Sequence, residues 1–284
     1  MRFDDAELNP WFCSAEYQRK LRRNTMDLGI AGRTAIICAS SKGLGRGCAE
    51  ALAEAGCTVV INGRDATTLE ATASQIRAKY GATVIAVVAD VSTRAGQDAL
   101  LAAAPEPDIL VNNNGGPPPK PFREVSREAL VEGVIQNMAT PVELMQRVID
   151  GMIARGFGRI VNITSMSVLT PLTGLDVSSG ARAGLTAFFS GVAREVAYAN
   201  VTINNILPGM FDTDRLKGST TKMAAIKGIT PEEMTKGRMA EIPAKRFGSA
   251  EEFGKACAFL ASAHAGYITG QNLLIDGGVF KGTF

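Results

Sequence analysis

The chain has 284 residues, 46% of them hydrophobic and 20% charged, with a formal net charge of +2. That length and composition suit a single soluble domain with a sizeable core. The near-neutral balance gives no electrostatic ground for a nucleic acid or an anionic membrane as partner, and no apolar run is long enough to span a bilayer.

In chain order, residues 1–30 read as an N-terminal extension, with a short helix over 14–23, ahead of a single domain covering 31–284. The opening MRFDDAELNP is acidic and lacks the layout of a signal peptide. Strands are expected at Thr34–Ala39, Thr58–Asn62, Thr83–Ala89, Ile109–Asn112, Arg159–Thr164, Thr202–Leu207 and Asn272–Ile275. Their hydrophobicity is continuous, not alternating, as in parallel strands covered on both faces. Helical patterns such as Gly43–Ala55 and Leu69–Tyr80 lie between them. This rhythm predicts an α/β fold: a Rossmann-like, doubly wound parallel sheet of seven strands with helices on both faces. The run Gly116-Pro117-Pro118-Pro119 makes a stiff loop after the fourth strand. Residues 210–246 form a long insertion read as a lid, in which Met210, Met223, Met234, Met239 and Phe211 suggest an adaptable apolar pocket. Five scattered cysteines (13, 38, 48, 57 and 257) without a CxxC pair fit a reducing, cytoplasmic setting. His264, the one histidine, excludes a multi-histidine site, so no metal is expected; it reads as a surface residue near a helix end.

The turn Ala39-Ser40-Ser41-Lys42-Gly43-Leu44-Gly45 joins the first strand to a helix. Such a turn aims backbone N–H groups and a helix N-terminus at a pyrophosphate. An acidic residue normally closes the second strand when the ligand is NAD, accepting from the ribose 2′-OH. Here Gly63 and then Arg64 stand there, and Lys42 lies in the turn. Two cations and no carboxylate favour a 2′-phosphate, hence NADP(H).

Four segments in order, the glycine turn, Val111-Asn112-Asn113-Asn114-Gly115, Ser165 to Leu185, and Leu207-Pro208-Gly209, resemble the classical short-chain dehydrogenase/reductase family. In that family a Tyr follows the active-site Ser by thirteen residues, and a Lys follows the Tyr by four. Here Ser165 is followed at those intervals by Ser178 and Arg182, and then by the expected Ala183-Gly184. Asn137 stands where the resemblance implies a supporting Asn. The resemblance implies a catalytic set of Asn137, Ser165, Ser178 and Arg182. It also implies cofactor contacts at Ser40, Ser41, Lys42, Gly43, Leu44, Gly45, Arg64, Asp90, Val91, Asn113, Gly115, Thr164, Arg182, Pro208, Gly209, Phe211 and Thr213. Ala39 replaces the family's first glycine, and Asn114 stands where Ala is usual.

Ser178 and Arg182 are four apart, so on a helix they share a face. A serine is a far weaker acid than a phenol, and an arginine stays protonated, holding hydroxyls and stabilising an oxyanion without passing a proton. Ser178 as a helix cap is an equal reading. The expected activity is hydride transfer between NADP(H) and a carbonyl or alcohol on a small-molecule substrate. The alternatives are a non-redox lyase or aldol-type enzyme and a silent NADPH-binding protein. The family also implies a homo-oligomer, tetramer or dimer, formed through helices around 125–155 and 179–199.

Overall fold

The structure, a computed structural model, describes residues 26–283. The helix expected at 14–23 lies outside the described residues. Strands β1 (Thr34–Ile37), β2 (Thr58–Gly63), β3 (Val84–Val88), β4 (Ile109–Asn112), β5 (Gly158–Ile163), β6 (Val201–Pro208) and β7 (Asn272–Ile275) form one sheet in the order β3-β2-β1-β4-β5-β6-β7. Every pairing is parallel, from Thr34 opposite Thr58 to Pro208 opposite Ile275. The chain order reverses between β1 and β4, and ligands of such sheets bind in the crevice at that switch point.

Alternate residues of each strand serve opposite layers. Ala35, Ile37, Val59 and Ile61 pack under helices α1 (Gly43–Glu54), α2 (Ala66–Tyr80) and α9 (Ala250–Leu260). Ile36, Cys38, Val60 and Leu110 pack under α3 (Arg94–Ala103), α5 (Thr140–Arg155) and α6 (Asp176–Val196). The inner strands are dry on both faces, which is why they read as unbroken apolar runs, while Ile85 and Val88 of β3 and Leu273 of β7 are exposed at the sheet edges. Between α1 and α9 there is no space for side chains: a Cβ on Gly47 or Gly254 would strike the facing backbone.

One row of polar residues crosses this apolar sheet. Asn112 donates to Asn162 (2.8 Å), Asn162 to Asn205 (2.9 Å) and Asn205 to Asn272 (2.8 Å), following the register from β4 to β7. Each link satisfies a donor and an acceptor, so polar groups that would be costly alone are tolerated in the interior, and Asn112 Oδ1 at the end of the row has no partner among the described residues.

Three expectations need correction. The stretch 28–30 is not an appendage: Ile30 is fully buried, and Leu28 O accepts from Ala263 N at 2.9 Å. The segment 210–246 is a helical hairpin, α7 (Asp214–Lys227) and α8 (Pro231–Glu241), because Thr213 and Thr230 cap both helices and Gly228 ends the first at φ +67°. Arg238 joins the two by donating to Ser219 and Thr220. Finally, Ser178 is no cap: α6 begins at Asp176, and Ser178 is buried within its first turn. His264 does lie exposed in a short 3-10 turn, 2.7 Å from Asp27 O. Cys38, Cys48, Cys57 and Cys257 are buried and unpaired, and burial pushes the Cys38 and Cys57 thiols up to about 12.

Candidate active site

The switch point is built from the carboxyl ends of β1 and β4. Gly45 faces Ala39 O, and a Cβ there would lie 2.5 Å from that oxygen and 2.8 Å from Asn113 Nδ2. Asn113 itself donates to Ala39 O at 3.0 Å, tying the end of β4 to the turn. Gly43 has φ +61°, and Ala39, standing in place of a glycine, is held at φ +44°. Helices α2, α3, α4 (Arg127–Val134), α7, α8 and α9 carry side-chain caps from Asp65, Thr93, Ser126, Thr213, Thr230 and Ser249, whereas Lys42 at the start of α1 makes none. Its first-turn N–H groups therefore lack a side-chain partner, the arrangement that suits a phosphate. Thr213 Cγ2 lies 3.8 Å from the Cβ position of Gly43, so the segment Pro208–Thr213 faces the turn.

Ser40 departs from its expected place. Its hydroxyl is fully buried, donating to Ile37 O (2.7 Å) and accepting from Asn62 N (3.0 Å), so it supports the turn from below. Asn62 completes that support by accepting from Ala39 N and donating to Val87 O and Ala89 O. Leu44 likewise packs against the core.

At the end of β2, a Cβ on Gly63 would lie 3.0 Å from both Cβ and Oγ of Ser41. Ser41 thus crowds the position from which a carboxylate would reach a ribose. Lys42 is exposed and in no ion pair among the described residues, and exposed Arg64 faces half-buried Asp90 at a loose 3.8 Å. Asp90 accepts from Ser92 N, and Val91 is buried in the core. These features fit a dinucleotide bearing a 2′-phosphate.

Three of the four residues expected for catalysis, Asn137, Ser178 and Arg182, are joined by hydrogen bonds, and Ser165 follows the end of β5 two residues after Ile163. Asn137 sits in a π-helical turn, Ile135–Ala139, between α4 and α5; such turns re-aim side chains. Its Nδ2 donates to Gly115 O at 3.1 Å, which leaves Oδ1 to accept from Ser178 Oγ at 2.9 Å. Ser178 in turn accepts from Arg182 Nε at 3.1 Å, and Arg182 Nη1 donates to Ile163 O at 2.6 Å. Asn137, Ser178 and Arg182 are all buried. Ser165 caps a 3-10 turn, accepting from Ser167 N at 3.1 Å, and among the described residues it donates to no protein group. Thr164 is buried and donates to Ile206 O.

Sequence reasoning missed Arg215. It lies in the first turn of α7, an exposed residue whose guanidinium folds over Gly116. A Cβ on Gly116 would be 2.9 Å from Arg215 Nη2 and 3.3 Å from Ser178 Oγ. Burial, and then the charge of Arg215, lower the pKa of Arg182 to about 10; burial also lowers that of Arg215. Both remain cations at neutral pH. The available signal was a cation two residues past Thr213, at a helix start where the dipole disfavours it.

The cleft here has a volume of about 300 Å³, with Pro117, Pro118, Val125, Leu175 and Val177 among its walls. None of the four methionines lines it. Phe211 is turned into the core, its ring 5.3 Å from that of Phe253, so it offers no side chain to a ligand. Asn114 braces the rim by donating to Ser92 Oγ and Gln136 O and accepting from Gly115 N. Among the described residues no tyrosine lines the cleft: Tyr80 ends α2, and Tyr198 and Tyr267 are exposed elsewhere. Among the described residues there is no metal-binding cluster and no helix long and apolar enough to cross a membrane.

A glycine turn at the switch point of a seven-stranded parallel sheet defines a doubly wound dinucleotide-binding fold. The profile of the family described as enoyl-(acyl carrier protein) reductase matches residues 38–280, and the chain belongs to that family, within the short-chain dehydrogenases/reductases. It is 32% identical to a 3-oxoacyl-[acyl-carrier-protein] reductase of Aquifex aeolicus over 90% of this chain and 100% of that one. It is also 32% identical to the NADPH-dependent reductase BacG of Bacillus subtilis, over 89% of this chain and 99% of the relative. The crystal structure of L-sorbose reductase from Gluconobacter frateurii, complexed with NADPH and L-sorbose, superimposes with a TM-score of 0.85 at 31% identity, covering 90% and 100% of the two chains.

Proposed function

We propose that this protein is an NADP(H)-dependent oxidoreductase that reduces a carbonyl group through a site of Ser165, Ser178, Arg182 and Asn137. The observation that carries this reading is the unbroken chain Gly115–Asn137–Ser178–Arg182–Ile163, whose Asn137, Ser178 and Arg182 match in sequence spacing the family's Asn, Tyr and Lys. Its oxidoreductase relatives, two of them described with NADPH, support the same cofactor. Gly43, Gly45 and the uncapped start of α1 would hold the pyrophosphate, and Lys42, Ser41 and Arg64 the 2′-phosphate. Asp90, Val91, Asn113 and Gly115 border the adenosine side, while Thr164, Pro208, Gly209 and Thr213 border the nicotinamide side.

When bound, the dinucleotide supplies the hydride. The protein supplies alignment and charge. Ser165, with its proton uncommitted, donates to the substrate oxygen. The Ser178 proton is engaged by Asn137, so Ser178 works as a positioning residue: it accepts from Nε and fixes the Arg182 plane. Arg182 Nη2 makes no bond to the protein and is available to stabilise the developing oxyanion. Solvent water entering the open cleft delivers the proton. Exposed Leu130 and Val131 on α4 and Phe188 on α6 support assembly of copies through those helices.

The test is NADPH oxidation, followed by absorbance over ketones, aldehydes and oxo acids, with NADH in parallel. Turnover that prefers NADPH upholds the proposal; NADPH binding without hydride transfer to any of them overturns it.

A further inference from the structure

We infer that the substrate carries a carboxylate beside its keto group, a 2-oxo or 3-oxo acid, and that Arg215 with Arg182 binds it. This rests on reading the cleft as a carbonyl-reducing site and adds the substrate class.

Three positive features meet beside Gly116 and Ser178, two residues of the cleft wall. Arg182 is buried, with Nε and Nη1 committed to Ser178 and Ile163 O, and Nη2 unused. Arg215 holds its guanidinium against Gly116, beside Ser178, and makes no hydrogen bond to the described residues. The first turn of α7, from which Arg215 projects, adds the positive end of a helix dipole.

Two carboxylates, Asp90 and Glu132, line the cleft with Lys120, and Asp90 faces Arg64 at 3.8 Å, but neither acid pairs with Arg182 or Arg215. Among the described residues, neither guanidinium lies within ion-pair distance of an acid. On the flanking elements, Asp212 pairs with Lys217 at 3.2 Å, and Glu132 on α4 accepts from Gln136 at 2.6 Å. Asp214 and Asp176 are exposed. Two like charges brought together, one of them buried and one at the wrong end of a helix, are unfavourable within the protein alone. A ligand anion removes all three costs at once. Gly116 leaves the space: any side chain there would press on Arg215.

The geometry also fits the chemistry. A carboxylate held by forked guanidinium donors beside Ser178 would put an adjacent keto oxygen within reach of the Arg182–Ser165 corner. The keto carbon gains the hydride and its oxygen gains a proton from water. The reduced nicotinamide is oxidised, and the carboxylate passes through unchanged.

The experiment titrates the full chain, alone and saturated with NADPH, with malonate and with neutral malonamide, by calorimetry. In parallel, NADPH oxidation is followed with 2-oxobutanoate and acetoacetate against their methyl esters. Wild type is compared with Arg215→Met and Arg215→Lys, with Lys222→Met as the control of equal charge change on exposed α7. The expected result is malonate binding to the NADPH-saturated protein, weakened about tenfold to a hundredfold by Arg215→Met, the range of one charge-assisted hydrogen bond. Partial recovery in Arg215→Lys and no change in Lys222→Met are also expected, and acids should turn over faster than esters. Malonate binding that vanishes once NADPH is present would assign Arg215 to the cofactor phosphates and overturn the inference. So would equal handling of acids and esters, a result that leaves the proposed reductase standing. Absence of all turnover, with malonate still bound through Arg215, would instead sink the reductase reading and keep the anion site.

Discussion

Ser178 Oγ lies 2.9 Å from Asn137 Oδ1, although 41 residues separate them in the chain. The partner atom is an acceptor, so the serine proton is spent inside the protein. The same oxygen receives Arg182 Nε at 3.1 Å. Ser178 is therefore a joint between two residues of the site, and its place in the frame does not make it a replacement acid.

Substituting Ser178→Ala should strand a buried amide oxygen and a buried guanidinium N–H. A stability loss of about 1–3 kcal/mol is expected, as for an unsatisfied buried group. Thermal unfolding reads the loss. Turnover should fall through kcat more than KM, and Ser178→Thr, which keeps the hydroxyl, should restore part of both. An unchanged Ser178→Ala enzyme would remove the joint from the mechanism.

Ser165 carries the uncommitted proton. Ser165→Ala should lower kcat by about 10²–10³, the range seen when one oxyanion donor is removed. NADPH affinity, measured by fluorescence titration, should not change. A cofactor affinity that falls in step would place Ser165 in binding instead.

Lys42 and Arg64 are the cations near the end of β2, where Ser41 leaves no room for a carboxylate. The double substitution Lys42→Ala with Arg64→Ala should weaken NADPH by about tenfold to a hundredfold, as lost charge-assisted contacts do, and leave NADH nearly unaffected. Parallel Kd measurements for the two cofactors decide this.

Ala39 is held at φ +44°, a conformation that suits glycine. The left-handed penalty for a side chain is about 1–2 kcal/mol, offset by about 0.5–1 kcal/mol for glycine's freedom in the unfolded chain. Ala39→Gly should therefore stabilise the protein slightly and raise Tm by about 1–4 °C. A drop in Tm would show that the methyl packs usefully.

The pH profile should be plain. Among the described residues no histidine, cysteine or tyrosine lines the cleft. Arg182 is a base whose pKa is lowered to about 10, first by burial and then by Arg215. It stays protonated below that value and loses its charge as pH rises through it. The kcat should hold level across neutral pH and decline only as pH approaches about 10. A limb near neutrality would reveal a proton donor outside this set.

Much of the protein was legible in the chain. The continuous apolar runs identified all seven strands, because parallel strands covered on both faces need no polar side. The glycine turn, Ser165, and the intervals to Ser178 and Arg182 were readable because local backbone geometry and helix periodicity act over a few residues. Even so, the lid became a capped hairpin, Phe211 turned to Phe253, and Ser40 turned inward. Each of these outcomes depends on a partner distant in sequence.

The sequence alone determined the sheet, its switch point and the two cations, Lys42 and Arg64, near the end of the second strand, since these follow from hydrophobic period, glycine placement and residue charge. Only the tertiary structure decided where protons and charges are committed. The asparagine row from Asn112 to Asn272 is assembled by strand register, and Asn137 reaches Ser178 across a π turn. Arg215 meets Arg182 because α7 returns over Gly116. Hydrogen bonds and Coulomb forces act through space, so residues remote in the chain become neighbours only once the chain has packed.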